Sequence, residues 1–214
     1  MKIYLFSGLG ADERLFSKLK PVEGYEYVAL PFIHPGNSKT LADYAALLVE
    51  EYRFETPCIF GGVSIGGMIA QEVAQIVKPE KLLLISTLQF SNELPPVFKL
   101  GNNAFTKSLL SKPLLEVAAT IGDKFTIKSK EGRKLFYDML HASEGDFMKF
   151  GFGVVLGWQP PVAQVPVIRL HGTNDRVFPL SRVKNAITIK GGNHFMVYEK
   201  GEEIGDIIGK ELNK

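Results

Sequence analysis

The chain has 214 residues, of which 45% are hydrophobic, and its 25 basic and 23 acidic residues give a formal net charge of +2. This length suits one α/β domain with a substantial core and does not favour two full domains. The near balance of charge excludes the strongly basic surface with which proteins bind nucleic acids or anionic membranes, so we expect a small-molecule partner.

The beginning of the chain and its single cysteine bear on where the protein resides. Residues 1–8 contain an apolar run that is too short for the core of a signal peptide. No segment approaches the ~18 uncharged apolar residues of a membrane-spanning helix. Cys58 lies within an apolar run, which is typical of a small buried thiol, and a lone cysteine forms no internal disulfide. We therefore predict a cytoplasmic protein without a membrane span.

Six short apolar runs separated by helical patterns predict an α/β fold with a mostly parallel sheet of about six strands. The runs show little polar alternation, as expected for strands that are covered on both faces. They span Ile3–Phe6, Tyr25–Leu30, Cys58–Gly62, Leu82–Ser86, Val165–His171 and Ala186–Ile189.

Apolar residues at spacings of three and four predict helices between these strands. The clearest patterns cover Leu41–Val49 and Met68–Val77, which we expect to be crossover helices. A looser pattern over Glu199–Leu212 predicts a helix that closes the fold.

A long segment between the fourth and fifth predicted strands interrupts this alternation. It has helical periodicity but no convincing strand, and the proline pairs at 95–96 and 160–161 mark its ends. We therefore predict an α/β core at 1–87 and 164–214 and a helical insertion at 88–163, with roughly three or four short helices. The apolar residues of the insertion either pack it against the core or line a cavity above Ser64. These residues are Leu109, Leu110, Leu114, Leu115, Val117, Leu135, Phe136, Met139, Leu140, Phe147, Phe150 and Phe152.

The segment GVSIG at residues 62–66 lies where the third predicted strand gives way to a helix. Glycines two positions before and two after Ser64 allow the backbone to turn sharply and present the hydroxyl. The bare pattern arises by chance in roughly one chain in ten of this composition. The pattern is more specific here because it lies between a predicted strand and a predicted helix. An acid and a histidine also follow it, in the order Ser, Asp, His.

A serine hydroxyl is a poor nucleophile at neutral pH, so it needs a base to take its proton and a third group to orient that base. His194 is the predicted base, because it follows a strand and a glycine-rich turn at 191–193. The other three histidines, His34, His141 and His171, lie in less suitable contexts.

The acid is expected in a loop at the carboxyl end of a neighbouring strand. Asp175 lies four residues beyond His171 among turn-forming residues, and we predict that it orients the histidine. Its alternative role is to stabilise a turn with its own side chain. Glu93 is the reserve candidate, because it follows the fourth predicted strand, and Asp146 in the insertion is a third.

Acyl transfer also needs two backbone N–H groups that stabilise the developing oxyanion. Ile65 offers one at the start of a helix, where the helix dipole favours negative charge. The second is expected from the loop after the first strand, at residues 7–10. Leu9 is our choice in that loop, with Gly8 second.

These segments give the chain a resemblance to the α/β-hydrolase superfamily over essentially its whole length. The GVSIG segment, HGTNDRVFP at 171–179 and GNH at 192–194 match its nucleophile, acid and histidine positions, and the insertion matches its helical cap. The resemblance implies an α/β three-layer sandwich. It also implies that the first strand here corresponds to the third of the superfamily, without the two leading strands. The usual His-Gly after that strand is Ser7-Gly8 in this chain.

By resemblance, the expected mechanism is a two-step acyl transfer. Ser64 attacks a carbonyl, His194 shuttles the proton, Asp175 holds the imidazolium, and water releases the acid. A carboxylic ester is the commonest substrate in this superfamily, and we expect one with a small, mainly apolar acyl group. The sequence has no Gly-Lys-Ser/Thr phosphate loop, paired cysteine motif or His-Glu-x-x-His segment, so we expect no cofactor and no metal. The sequence predicts no particular oligomeric state.

Three other functions compete with this one. The same triad serves lyases and C–C hydrolases, which would need an additional acid or base in the insertion; the candidates are His141, Tyr137, Asp146 and Lys149. A receptor could keep the fold and bind a small molecule without turnover. A dinucleotide-binding enzyme is disfavoured, because the third glycine of that fingerprint would fall at Glu13.

Overall fold

The computed structural model describes residues 1–96 and 127–214. Its core is one sheet of six strands, each parallel to its neighbours, in the order β2-β1-β3-β4-β5-β6. Each strand lies within two residues of its predicted bounds, so the predicted α/β sheet is confirmed. The strands are β1 (Lys2–Phe6), β2 (Glu26–Leu30), β3 (Cys58–Val63), β4 (Lys81–Ile85), β5 (Val167–Gly172) and β6 (Ile187–Ile189).

Six α-helices accompany the sheet in the described part of the chain. The two predicted crossover helices are confirmed as α1 and α2, although both begin or end a few residues away from the predicted bounds. The helices are α1 (Leu41–Tyr52), α2 (Ile65–Ile76), α3 (Lys130–Ala142), α4 (Gly145–Val155), α5 (Met196–Glu199) and α6 (Gly201–Leu212).

The helix predicted at Glu199–Leu212 is interrupted at Lys200, where φ is −130° and ψ is 33°. The short α5 ends before this residue, and α6 begins after it. A Cβ at Gly201 would overlap the carbonyl group of Lys18, so the start of α6 packs directly against that backbone. This close approach fixes the break that the periodicity alone did not predict.

Apolar side chains cover both faces of the sheet, as their lack of alternation predicts. In β1, Ile3 and Leu5 face one cluster of buried residues, which includes Ile204 of α6. Tyr4 and Phe6 face the other, which includes buried residues of α1 and α2. The sheet is therefore the middle of three layers.

The helices α3 and α4 lie between β4 and β5, where the helical insertion is predicted. Met139, Leu140 and Phe147 are buried, and Leu135, Phe136, Phe150 and Phe152 pack beside the buried clusters. Residues Leu109, Leu110, Leu114, Leu115 and Val117 lie outside the described residues. The exact division into core and insertion stays a prediction.

Parallel strands bring their carboxyl ends to the same edge of the sheet, which is where ligands bind in open α/β folds. The segments that follow β1, β3, β5 and β6 at this edge contain Leu9, Ser64, Asp175 and His194. Within residues 1–96 and 127–214, every helix is too short or too polar to cross a bilayer.

Candidate active site

Ser64 occupies a strained turn between β3 and α2. Its φ of 57° and ψ of −124° lie in a region that costs a non-glycine residue on the order of 1–3 kcal/mol. A Cβ at Gly62 would overlap the backbone of Gly66, and a Cβ at Gly66 would overlap the carbonyl oxygens of Phe6 and Ser7. Both flanking positions therefore require glycine, and the turn is held by close backbone contacts.

Hydrogen bonds from β4 and the loop after it fix this turn. The Ser64 N–H donates to the carbonyl of Ile85 at 3.2 Å. The Thr87 hydroxyl donates to the Ser64 carbonyl at 2.5 Å. The Ser64 side chain is partly exposed, so the turn presents the hydroxyl rather than burying it.

Asp175 and His194 form a hydrogen-bonded pair. Nδ1 of His194 lies 2.9 Å from Oδ2 of Asp175, and the side chain of Asp175 is fully buried whereas that of His194 is 20% exposed. Oδ1 of Asp175 accepts the N–H groups of Val177 and Phe178, both at 2.9 Å. One oxygen of Asp175 thus accepts two hydrogen bonds from a turn, and the other is bonded to the histidine.

The surroundings of Asp175 keep it ionised. Burial alone raises the pKa of a carboxyl group, but the charge and hydrogen bond of His194 and the backbone N–H groups outweigh it, so the pKa of Asp175 lies below its ordinary value. A negative charge is therefore buried beside the imidazole of His194.

The loop that carries His194 is shaped by glycines and anchored at Asn193. Gly191 has a φ of 71°, and a Cβ at Gly172 would overlap the backbone of Gly192. The Asn193 amide donates to Oε2 of Glu199 at 2.5 Å. These contacts hold the start of α5 and the histidine loop together.

Leu9 and Ile65, the predicted oxyanion residues, lie close to one another. A Cβ added at Gly151 of α4 would be 2.5 Å from Leu9 Cδ1 and 3.2 Å from Ile65 Cδ1. Across the described ranges, the backbone N–H groups of Leu9 and Ile65 donate no hydrogen bond. A Cβ at Gly8 would be 3.6 Å from Ser64 Cβ, so this loop lies against the serine.

Ser7 stabilises the same loop. Its buried hydroxyl donates to the carbonyl of Ala11 at 2.9 Å. The N–H of Ala11 in turn donates to the carbonyl of Gly8 at 3.0 Å. The loop is thus closed on itself by short-range hydrogen bonds.

Ser64 and His194 lie at the same edge of the sheet, but no hydrogen bond joins the two side chains in the part of the chain that the structure describes. The structure therefore brings Asp175 to His194, and the Gly8 loop to Ser64. Catalytic hydrogen bonds to the serine are often longer before a substrate is bound.

Glu93, the reserve acid, pairs with a different residue. Its carboxylate forms two hydrogen bonds to Arg169 of β5, at 2.8 and 2.5 Å, and both side chains are only 2% exposed. Burial raises the pKa of a carboxyl group, but Arg169 and backbone N–H groups hold the pKa of Glu93 below its ordinary value. Glu93 therefore stabilises the loop after β4.

The remaining candidates do not form the hydrogen bond of this pair, although His171 lies beside it, with Nε2 3.5 Å from Oδ2 of Asp175. Asp146 is exposed, and its carboxylate is 3.5 Å from Nε2 of His34. His141 is also exposed. His171 is fully buried, and its Nε2 lies 2.7 Å from the carbonyl oxygen of Phe178.

Sequence reasoning missed Thr87, Arg169 and Glu199 as supports of the site. Arg169 had a detectable signal, because it is the charged residue within the fifth apolar run, Val165–His171, and a buried arginine needs a partner. Thr87 and Glu199 carried no such signal, since their partners follow from the fold and not from spacing.

Two concave regions flank the site. One, of about 210 Å³, is lined by Gly10, Phe32, Met139 and Phe147, among others, and lies next to the Leu9 loop. The other, of about 400 Å³, is lined by residues of the His194 loop and of α5. The cavity beside the Leu9 loop combines these apolar side chains with the polar residues Asp12, Ser143 and Glu144.

No protein-family model matches the chain, and no curated protein does. Its structure is similar to that of a thermophilic esterase from Thermogutta terrifontis, with a TM-score of 0.76 and 15% identity over 100% of this chain and 89% of that chain. An epoxide hydrolase from Bacillus megaterium has a TM-score of 0.73 and 13% identity, with coverages of 100% and 93%. A bromoperoxidase from Bacillus anthracis has a TM-score of 0.69 and 15% identity, with coverages of 100% and 92%. The chain therefore has the α/β-hydrolase fold.

Proposed function

We propose that this protein is a serine hydrolase that cleaves a small, mainly apolar carboxylic ester or a related acyl compound in the cytoplasm. The observation that carries the proposal is the buried Asp175 carboxylate on Nδ1 of His194, at the same sheet edge as the strained turn of Ser64. Such a pair leaves Nε2 of the histidine as the nitrogen that can act as a base.

The reaction proceeds in two steps. Nε2 of His194 takes the hydroxyl proton of Ser64 while the serine oxygen attacks the carbonyl carbon of the ester. The tetrahedral intermediate collapses, the alcohol leaves with that proton, and an acyl-enzyme remains. Water, activated by the same nitrogen, then releases the carboxylic acid and restores Ser64.

Charge develops on the carbonyl oxygen in both steps, and we assign its stabilisation to the backbone N–H groups of Leu9 and Ile65. The N–H of Ile65 lies at the start of α2, where the helix dipole favours negative charge. The contact of both side chains with the Gly151 position supports this pairing, since it keeps the two residues beside one another.

Aromatic side chains near the site support an apolar acyl group. The cavity beside the Leu9 loop is lined by Phe32, Met139 and Phe147, and the rings of Phe32 and Phe147 stack at 4.1 Å. The Thermogutta structure is named as an esterase, which agrees with the proposed ester substrate.

The test is covalent labelling of the active serine with a fluorophosphonate probe, followed by peptide mass analysis. We expect one adduct at Ser64, none in Ser64→Ala, and unchanged labelling in Ser181→Ala, which removes an exposed serine. Chromogenic esters of increasing acyl length would then measure turnover. Hydrolysis retained by a folded Ser64→Ala variant would contradict the proposal.

The same measurements separate the receptor function from the hydrolase. A receptor would bind the ester or become acylated once, without multiple turnovers. A lyase or C–C hydrolase would need an acid or base from the insertion, so its activity would depend on His141, Tyr137, Asp146 or Lys149.

A further inference from the structure

We propose that His171 is a positioning residue that holds Asp175 and His194 in their paired geometry through the backbone of Phe178. This inference rests on the proposed function, because it assigns a role within the same site. His171 lies in β5, its side chain is fully buried, and the acyl-transfer mechanism gives it no role.

The hydrogen bond of His171 fixes its tautomer. Nε2 lies 2.7 Å from the carbonyl oxygen of Phe178. A carbonyl oxygen only accepts hydrogen bonds, so Nε2 carries the proton and donates it. Nδ1 is buried and has no hydrogen-bond partner in the structure as described. Burial lowers the pKa of His171 below its ordinary value, so the ring stays neutral and acts purely as a donor.

Phe178 connects His171 to both members of the pair. Its N–H donates to Oδ1 of Asp175 at 2.9 Å. Its ring packs edge-on against the His194 ring, with centroids 5.4 Å apart and planes at 79°. His171 therefore holds the carbonyl of Phe178. The N–H of Phe178 orients the Asp175 carboxylate, and its ring packs against the His194 imidazole.

The neutral state of the His171 ring also determines how much of the Asp175 charge is available to His194. Its Nε2 is 3.5 Å from Oδ2 of Asp175, which is the oxygen that accepts the hydrogen bond of His194. A cationic ring at this distance would compete for the carboxylate charge. A neutral ring leaves that charge to stabilise the imidazolium of His194 during the reaction.

A matched pair of amides tests the proposal. In His171→Gln, the amide nitrogen reaches the position of Nε2, because both are three bonds beyond Cβ. In His171→Asn, it reaches only the position of Nδ1. The two substitutions are similar in polarity but differ by one buried methylene, so a role that is merely structural would lower the free energy of unfolding of the shorter variant and leave kcat unchanged.

We expect His171→Gln to keep kcat within about threefold of the wild type. We expect His171→Asn to lose about 10- to 100-fold in kcat with little change in KM, since a small misplacement of catalytic groups costs this much. Equal kcat values for the two variants, whether high or low, would overturn the proposal. Urea unfolding of both variants establishes that folded protein is compared.

A second readout does not depend on activity. The Nδ1 proton of His194, bonded to a buried carboxylate, is expected to give a strongly downfield proton resonance that is assigned by its loss in Asp175→Asn. We expect this resonance in His171→Gln and its loss or broadening in His171→Asn. An unchanged resonance in His171→Asn would overturn the positioning role even if the protein were no hydrolase. Failure of Ser64 labelling with the resonance behaving as expected would contradict only the proposed function.

Discussion

At the scale of single residues, the site separates two carboxylates that the sequence alone left as competitors. Asp175 bonds to His194, whereas Glu93 bonds to Arg169. Both are buried, and both have a pKa below the ordinary value. Their partners differ, so substitution of Asp175 is expected to affect activity and substitution of Glu93 to affect stability.

Asp175→Asn should lower kcat by about 10⁴-fold, because an amide at this position no longer favours the histidine tautomer that accepts the serine proton. Glu93→Gln should leave kcat within a few-fold but reduce the free energy of unfolding by about 3 kcal/mol, since Arg169 would lose its buried counter-charge. Steady-state kinetics and urea unfolding of both variants measure the two effects. Loss of activity in Glu93→Gln together with an active Asp175→Asn would reassign the acid to Glu93.

The division between these two carboxylates could not be read from the sequence. Glu93 and Arg169 lie 76 residues apart, and only the pairing of β4 with β5 brings their segments together. By contrast, the turn around Ser64 was predictable, because its two glycines are needed by the local backbone itself.

At the scale of elements, the strands were predicted within two residues because buried parallel strands are nearly continuous apolar runs. The break between α5 and α6 was not predicted, since it follows from the contact of Gly201 with the Lys18 backbone. Helix periodicity reports which face is apolar and carries no information about such a contact.

The helix α4 offers a matched test of its contact with Leu9 and Ile65, the proposed oxyanion residues. Gly151 and Gly153 both lie within α4, but a Cβ would meet Leu9 and Ile65 only at position 151 and would meet nothing within 4 Å at position 153. Alanine in place of either glycine should favour the helix by roughly 0.5–1 kcal/mol.

Gly153→Ala should therefore raise the free energy of unfolding without changing kcat/KM. In Gly151→Ala, displacement of the Leu9 side chain should offset that gain and lower kcat/KM several-fold. Thermal unfolding and ester kinetics of the two variants provide the comparison. Equal values of kcat/KM and of the free energy of unfolding in the two variants would mean that the contact of α4 with Leu9 does not affect the reaction.

At the scale of the whole molecule, the apolar layers on both faces of the sheet and the shared edge of its carboxyl ends were predictable from composition and pattern. The placement of the buried ionisable groups was not predictable, because each group depends on a partner from a distant segment of the chain. These groups also set how the stability of the whole fold depends on pH.

The buried groups act in different directions on the free energy of unfolding. Asp175 and Glu93 have a lowered pKa, so their contribution is present above the ordinary values near 3.8 and 4.5 and is lost as pH falls through the lowered values. Burial raises the pKa of Glu72, so its contribution is lost as pH rises above about 4.5. His171 has a lowered pKa, so the unfolded chain binds a proton there before the folded chain does.

Stability should therefore decline as pH falls below about 6.5, and the part due to His171 has a slope of at most about 1.4 kcal/mol per pH unit. The difference in free energy of unfolding between wild type and His171→Gln isolates this part, because Asp175 and Glu93, whose pKa lies below the ordinary value, are ionised above about pH 5 and Glu72 lies in both proteins alike. Urea unfolding between pH 5 and 8 should give a difference that is constant above about pH 7 and shifts in favour of the variant as pH falls below about 6.5. A difference that is independent of pH would show that His171 takes up its proton equally in the folded and unfolded chains, which its burial and its bond to the Phe178 carbonyl argue against.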